Sequence, residues 1–202
     1  MLLVLVIMAF VFLRSEARQL NISLASRMCL KRLSVKQWTT YLVIIAIGLI
    51  IAVAATQLVV PFMNVTGITI PSYMPFFLNP AINPAEVDPA VLSPGFPLKG
   101  QFILIPLMAI TILLNILAEE LYFRAWLLPK MSKYGKISWV INGTLFALYH
   151  SYQFWLLPTI LVASLLMAFV IYKSKSIWPA LVAHFVGNFL FTILGILMLV
   201  LG

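Results

Sequence analysis

The sequence contains few charged residues. Only 9% of its 202 residues are charged, and five of the charged residues are acidic, whereas charged residues make up about 25% of an ordinary soluble domain. A single cysteine, Cys29, excludes an intramolecular disulfide. Because 63% of the residues are hydrophobic, the composition excludes a soluble globular domain and indicates an integral membrane protein.

Several signatures of other functions are missing. The zinc-protease sequence His-Glu-x-x-His and the Gly-x-Ser-x-Gly turn of serine hydrolases do not occur, and neither does a Gly-rich phosphate loop. Ser151 follows His150, but a serine nucleophile would also need a base and an oxyanion hole, which the sequence does not indicate. A serine mechanism is therefore not favoured. The net charge of +8 does not indicate a nucleic-acid partner, because six of the thirteen basic residues lie between Arg14 and Lys36, where the positive-inside rule accounts for them.

The apolar segments predict an all-α fold, a polytopic bundle of about six membrane helices forming a single domain. The helices are predicted at residues 1–13, 39–63, 101–129, 137–149, 156–172 and 178–201, of which the first is short for a spanning helix. Basic residues place segment 14–36 and the loops after residues 129 and 172 at the cytoplasmic face. The proline-rich segment 64–100 is then the outer loop.

Ionisable residues interrupt one of these helices. Glu119, Glu120 and Arg124 lie in a mostly apolar run, and a charge at the bilayer centre costs about 2.5–3.5 kcal/mol by insertion scales. The two histidines of the chain, His150 and His184, lie in other apolar segments. At 1.5 Å per residue, Glu119, His150 and His184 lie about 16, 21 and 14 Å from the cytoplasmic ends of their helices. Because they share one layer of the membrane, we expect one cavity, open to the cytoplasm, to hold all three.

Spacing within the helices adds to the pattern. Residues four apart share a helix face, and this relation joins Glu120 to Arg124, Phe146 to His150, and His184 to Asn188. The first of these pairs is expected to be a neutralising ion pair. The acid, the histidines and the amide can activate a water and stabilise an oxyanion, or they can bind one divalent metal.

At these residues the sequence resembles the CAAX protease and bacteriocin-processing family (CPBP, also Abi), which includes the type II CAAX prenyl endopeptidases. The motifs of that family are Glu-Glu-x-x-x-Arg, Phe-x-x-x-His and His-x-x-x-Asn. They occur here in that order as Glu119-Glu120-Leu-Tyr-Phe-Arg124, Phe146-Ala-Leu-Tyr-His150 and His184-Phe-Val-Gly-Asn188. The resemblance makes residues 101–202 the catalytic helical core, and residues 1–100 supply N-terminal membrane helices, the basic cytoplasmic segment and the outer loop.

The resemblance implies an intramembrane endopeptidase that acts on membrane-associated peptide or protein substrates, of the prenylated CAAX type or related to bacteriocins. It implies that Glu119 is the general base and that His150 lies close to the attacking water, while His184 and Asn188 hold the oxyanion. Three further residues would orient or support the site, and they are Glu120, Arg124 and Phe146.

The resemblance leaves the cofactor open between none and a single divalent metal such as zinc. A metal would be held by His150, His184 and Glu119, which leaves Asn188 and Glu120 to act as oxyanion donor and base. Because Asn188 cannot be a base and Glu120 is expected to pair with an arginine, the metal-free mechanism is slightly favoured.

Two other functions stay open, a non-catalytic bacteriocin-immunity or interaction protein on the same scaffold, and a proton- or ion-coupled transporter. The expected partners are membrane lipid and a peptide or protein substrate, which the resemblance allows to be lipidated, and no nucleic acid. The expected location is a bacterial-type cell membrane, crossed several times, with the site facing the cytoplasm.

Overall fold

The structure, a computed structural model, describes residues 1–71, 79 and 95–201. Within these ranges the regular secondary structure is helical throughout, and no strand occurs. The predicted all-α class is therefore confirmed. Most of the segment 64–100, predicted as the outer loop, lies outside the described residues.

The N-terminal half begins with α1 (Leu2–Gln19) and the single turn α2 (Leu24–Arg27). Helix α3 (Val35–Ala55) follows, and helical backbone continues beyond it so that the whole stretch covers Val35–Thr66. A capping box starts α3, since the Ser34 hydroxyl accepts from the Gln37 N–H and the Gln37 side chain accepts from the Ser34 N–H.

The C-terminal half contains five α-helices longer than one turn and two segments with π-helical hydrogen bonding. Helix α4 (Leu104–Glu119) runs directly into the first of these segments, π1 (Glu120–Leu127). After a 3-10 turn come α5 (Ser138–Tyr149) and α6 (Leu157–Ser174). The chain ends with α7 (Trp178–His184), π2 (Phe185–Leu190) and α8 (Phe191–Leu201).

Four helical stretches of the described residues are long and apolar enough to cross a membrane. They are Val35–Thr66, Leu104–Tyr149, Ser151–Ser174 and Trp178–Leu201. Non-helical backbone at Gly135 divides the second stretch into two legs. With α1, the described part of the chain has the predicted six principal helices.

Helix α1 extends beyond the predicted segment 1–13 and ends at Gln19. The extension follows from its buried residues Ala9, Leu13 and Ala17, whose spacing of four keeps one helix face on the core beyond Leu13. That face packs in a single buried cluster with residues of π1, α6 and α7, among them Leu121, Ala125, Met167, Ile171 and Ala180.

Helices α5 and α6 approach closely at Gly143. A Cβ atom built on Gly143 would lie 2.8 Å from Leu165 Cα, so a larger residue could not be accommodated without moving the backbone of α6. In the same contact, the Ser164 hydroxyl donates to the Gly143 carbonyl oxygen at 2.8 Å.

A cluster of charged side chains joins the N-terminal half to π1. Glu16 of α1 accepts from Trp126 Nε1 at 2.8 Å and from Arg27 Nη2 at 2.6 Å, and it also pairs with Lys130. Burial raises the pKa of Glu16, but the hydrogen bonds from Lys130, Arg27 and Trp126 lower it by more, so the net shift is downward. Arg27 was predicted only as one of the basic residues that set the membrane topology. It is 5% exposed and has a structural role in this cluster.

Lowering the pH should therefore loosen the contact between α1 and π1. Because the pKa of Glu16 is lower in the folded protein than its ordinary value of 4.5, the stabilisation is complete above that value and is lost as the pH falls through the folded pKa. We expect the thermal unfolding midpoint in detergent to fall as the pH is lowered from about 5 to about 3, and to fall less in Glu16→Gln. An identical pH dependence in the variant and the wild type would contradict this.

Candidate active site

The Glu119 carboxylate lies between the two histidines. Its Oε1 is 3.5 Å from His150 Nε2, and its Oε2 is 3.5 Å from His184 Nε2. Glu119 ends α4, His150 follows the last residue of α5, and His184 ends α7. All three are at most 9% exposed. The structure thus brings together the residues that their membrane depths predicted to meet, while their roles in catalysis remain predictions.

The other ring nitrogens have protein acceptors. His184 Nδ1 lies 3.0 Å from Glu120 Oε1, and His150 Nδ1 lies 2.9 Å from the Phe146 carbonyl oxygen. An ionised carboxylate and a carbonyl can only accept, so each Nδ1 carries a proton. In the neutral form both imidazoles therefore direct an Nε2 lone pair toward Glu119.

The π-helical segment explains how two adjacent glutamates reach one histidine. The Leu128 N–H donates to the Phe123 carbonyl, five residues back rather than four. Successive side chains of an α-helix diverge by about 100°, and the wider π turn reduces that angle. Glu119 and Glu120 therefore both face His184, although Glu120 was expected to pair with Arg124.

Arg124 is fully buried but does not form the ion pair predicted with Glu120. Its Nη1 donates to Asn142 Oδ1 at 2.6 Å and its Nη2 to the Ser164 carbonyl oxygen at 3.4 Å. No carboxylate lies within ion-pair distance of Arg124 among the described contacts, because Glu120 is directed at His184. Glu119 and Glu120 attract its charge only at longer range.

Phe146 joins this arginine to the histidines. Its ring lies 4.5 Å from the Arg124 guanidinium carbon and its centroid is 4.7 Å from that of His150. The His184 ring meets it edge to face at 6.3 Å. The cation–π contact stabilises the buried charge, and the ring stacking fixes the planes of the imidazoles.

Two asparagines belong to the site and were missed in the sequence. Asn115 Nδ2 donates to Glu119 Oε1 at 3.0 Å, and Asn142 Nδ2 donates to the Phe123 carbonyl oxygen at 2.8 Å. Asn115 precedes Glu119 by four residues and Asn142 precedes Phe146 by four, so both share a helix face with a motif residue. A search for polar side chains at that spacing would have found them.

Asn188 is placed differently from the other motif residues. It lies in π2, one turn beyond His184, and is exposed. In the described part of the chain its side chain has no hydrogen bond to Glu119, His150 or His184, so its assignment to the oxyanion remains a prediction.

The predicted metal ligands do not form a metal site as they stand. No three His, Cys, Asp or Glu side chains of the described residues are arranged to hold a metal ion. Instead, His150 and His184 direct their Nε2 atoms at the two oxygens of Glu119.

Arg124 and Asn142 should contribute to stability as one unit. Asn142→Leu removes the acceptor of a buried charged donor, which we expect to cost about 1–3 kcal/mol and to reduce the folded yield. Arg124→Met should also be destabilising, and the two effects should not add, since the residues are in contact. Thermal unfolding midpoints of the single and double variants in detergent measure this. Asn188→Leu, at an exposed position, is the control and should not change the unfolding midpoint. Strictly additive losses of stability in the double variant would contradict the coupling.

Comparison with known proteins agrees with the motifs. Residues 101–190 match the family described as Type II CAAX prenyl endopeptidase Rce1-like, a family of proteases. No curated protein and no solved structure matches the chain. The matched segment contains Glu119, Glu120 and Arg124 of the first motif together with both histidines. The resemblance predicted from the three motifs is therefore confirmed over residues 101–190, which are similar to the Rce1-like type II CAAX prenyl endopeptidases.

Proposed function

We propose that this protein is an intramembrane endopeptidase in which Glu119 activates the attacking water. The observation that carries the proposal is the position of the Glu119 carboxylate, buried and 3.5 Å from the Nε2 atoms of both His150 and His184. A separation of 3.5 Å is longer than an ordinary hydrogen bond, and both partners of Glu119 present lone pairs when neutral. Such a site favours a molecule that donates protons to it, as water does.

The water lies between Glu119 and His150. It donates one proton to a Glu119 oxygen and directs the other toward His150 Nε2, so that an oxygen lone pair is free to attack the peptide carbonyl carbon. As the new C–O bond forms, Glu119 takes the first proton and the carbonyl electron pair moves to its oxygen. Asn115, which donates to Glu119 Oε1, holds the carboxylate in one orientation during this step.

His184 and Asn188 stabilise the oxyanion. In this step His184 acts in its imidazolium form, which donates from Nδ1 to Glu120 and from Nε2 toward the oxyanion. Asn188, one turn further along π2, is the side-chain amide available as a second donor. The tetrahedral intermediate then collapses, the C–N bond breaks, and the proton held by Glu119 passes to the leaving amine.

The substrate that this site suits is a peptide at the membrane, with a prenylated C-terminal CAAX sequence as the leading candidate. The family description supports that class. Tyr149 and Tyr152 flank the His150 ring at centroid distances of 5.1 and 5.8 Å and are 46% and 54% exposed. Their exposed rings give a substrate an apolar surface leading to the buried site.

The remaining proposals concern topology. The basic residues between π1 and α5, and those at the end of α6, support a site that opens toward the cytoplasm of a bacterial-type cell. Residues 101–202 form the catalytic core in this proposal, and residues 1–100 complete the bundle.

Replacing the base should abolish hydrolysis. Glu119→Gln preserves shape and hydrogen bonding but cannot take a proton, so we expect kcat to fall by about 10²–10⁴-fold with purified protein and a quenched fluorescent, farnesylated CAAX peptide. The neighbouring Glu120→Gln is the matched control, because its amide oxygen still accepts from His184 Nδ1, and its loss should be smaller. Full peptide cleavage by Glu119→Gln would refute the role of Glu119, and absence of cleavage by the wild type would favour a non-catalytic immunity protein.

Removal of metal should leave the activity intact. The proposed mechanism uses only protein groups and water, so enzyme dialysed against EDTA and then assayed with 1,10-phenanthroline should retain its kcat. A known zinc protease assayed in parallel shows that the chelators are effective. Loss of activity followed by recovery with stoichiometric zinc would instead indicate metal catalysis by His150, His184 and Glu119.

A further inference from the structure

We propose that Arg27 is a positioning residue for this active site, acting through the backbone of π1. The inference rests on the proposed peptidase function. Arg27 lies in the N-terminal basic segment, outside the residues that match the family. Its guanidinium nevertheless reaches the end of π1, where Nη1 donates to the Ala125 carbonyl oxygen at 2.5 Å and Nη2 to the Trp126 carbonyl oxygen at 3.1 Å.

The Ala125 carbonyl lacks the usual α-helical donor. In an α-helix it would accept from the N–H four residues later, but that residue is Pro129, which has no N–H. A buried carbonyl without a partner is costly, and this position is buried, with Ala125 fully inaccessible. Arg27 thus replaces the hydrogen bond that Pro129 cannot provide.

Arg27 is itself held in a fixed orientation. Glu16 Oε2 accepts from its Nε at 3.0 Å and from its Nη2 at 2.6 Å. The same carboxylate accepts from the indole of Trp126 through Oε1. A planar guanidinium can bridge one carboxylate and two carbonyls at once, whereas a lysine ammonium lacks that fixed fork.

The held backbone is the one that carries the site. Arg124 is adjacent to Ala125, and its guanidinium packs on Phe146, which contacts both histidine rings. Glu120 begins the same segment and accepts from His184. A shift at the end of π1 therefore reaches Glu120 and the histidines, and misplacement by about 1 Å can cost about 10²-fold in rate.

Loss of Arg27 should leave the N-terminal segment docked, because other contacts hold it. The Ile177 N–H donates to the Cys29 carbonyl at 2.9 Å, and the Ser176 hydroxyl donates to the Lys31 carbonyl at 2.7 Å. These bonds lie on either side of residue 30 and involve no side chain of Arg27. The expected effect is therefore local to π1 rather than on the whole fold.

The test compares Arg27→Met and Arg27→Lys with Arg32→Met and Arg32→Lys, since Arg32 is an exposed arginine of the same segment. With the farnesylated peptide probe, we expect Arg27→Met to lower kcat by about tenfold or more with KM changed less than about twofold, and Arg27→Lys to lower it less. Amide hydrogen exchange should become faster in residues 120–131 and stay unchanged in α6. The Arg32 variants should match the wild type in both measurements.

A compensating substitution makes the test specific. Pro129→Ala restores an N–H four residues after Ala125, so it should recover part of the kcat lost in Arg27→Met. Absence of recovery would overturn the assignment to the Ala125 carbonyl. A kcat of Arg27→Met equal to that of Arg32→Met would overturn the proposal as a whole, and if Arg27→Met does not fold, wild-type kcat and exchange in Arg27→Lys would do the same.

The proposed function and this inference fail in different ways. If the wild type and Glu119→Gln are both inactive on the peptide, the peptidase function is wrong, and the exchange of residues 120–131 alone decides whether Arg27 holds π1. If the wild type is active and Glu119→Gln is not, unchanged kinetics in Arg27→Met count against Arg27 only.

Discussion

The structure depends on the requirement that charge within an apolar bundle have a nearby partner. Two carboxylates, a guanidinium and two imidazoles are buried together, and each would be costly alone. His184 lies between both glutamates, and Arg124 is accommodated by Asn142, the Ser164 carbonyl and the ring of Phe146. The polar groups of the candidate site thus act as partners for one another, and these contacts allow them to be buried in an apolar environment.

Irregular helical backbone makes that arrangement fit. Both π segments adjoin the reactive residues, since π1 begins at Glu120 and π2 follows His184. Single π turns within α-helices are often found at functional sites. Here π1 lets neighbouring carboxylates face one ring, but it also disturbs the ladder of backbone hydrogen bonds near Pro129. Contacts from α1 and α2 then stabilise the backbone at the end of π1.

The sequence predicted the meeting of Glu119, His150 and His184 because depth along a membrane helix follows directly from residue counting. It predicted the six helices because long apolar runs have few alternatives in a bilayer. The predicted ion pair between Glu120 and Arg124 was wrong, because the prediction assumed α-helical spacing, which does not hold in π1. The partners Asn142 and Ser164 lie on other helices, and only the packing of those helices decides which side chains meet.

Gly143 shows how tightly the reactive residues depend on helix packing. The absent side chain lets α6 lie against α5, with Ser164 bonded to the Gly143 carbonyl. Ser164 also supplies the carbonyl that accepts from Arg124. The hydrogen atom at residue 143 therefore sets how closely α5 and α6 can approach, and α6 carries a carbonyl that accepts from the buried arginine. The position of a charged group in the candidate site thus depends on a residue that has no side chain.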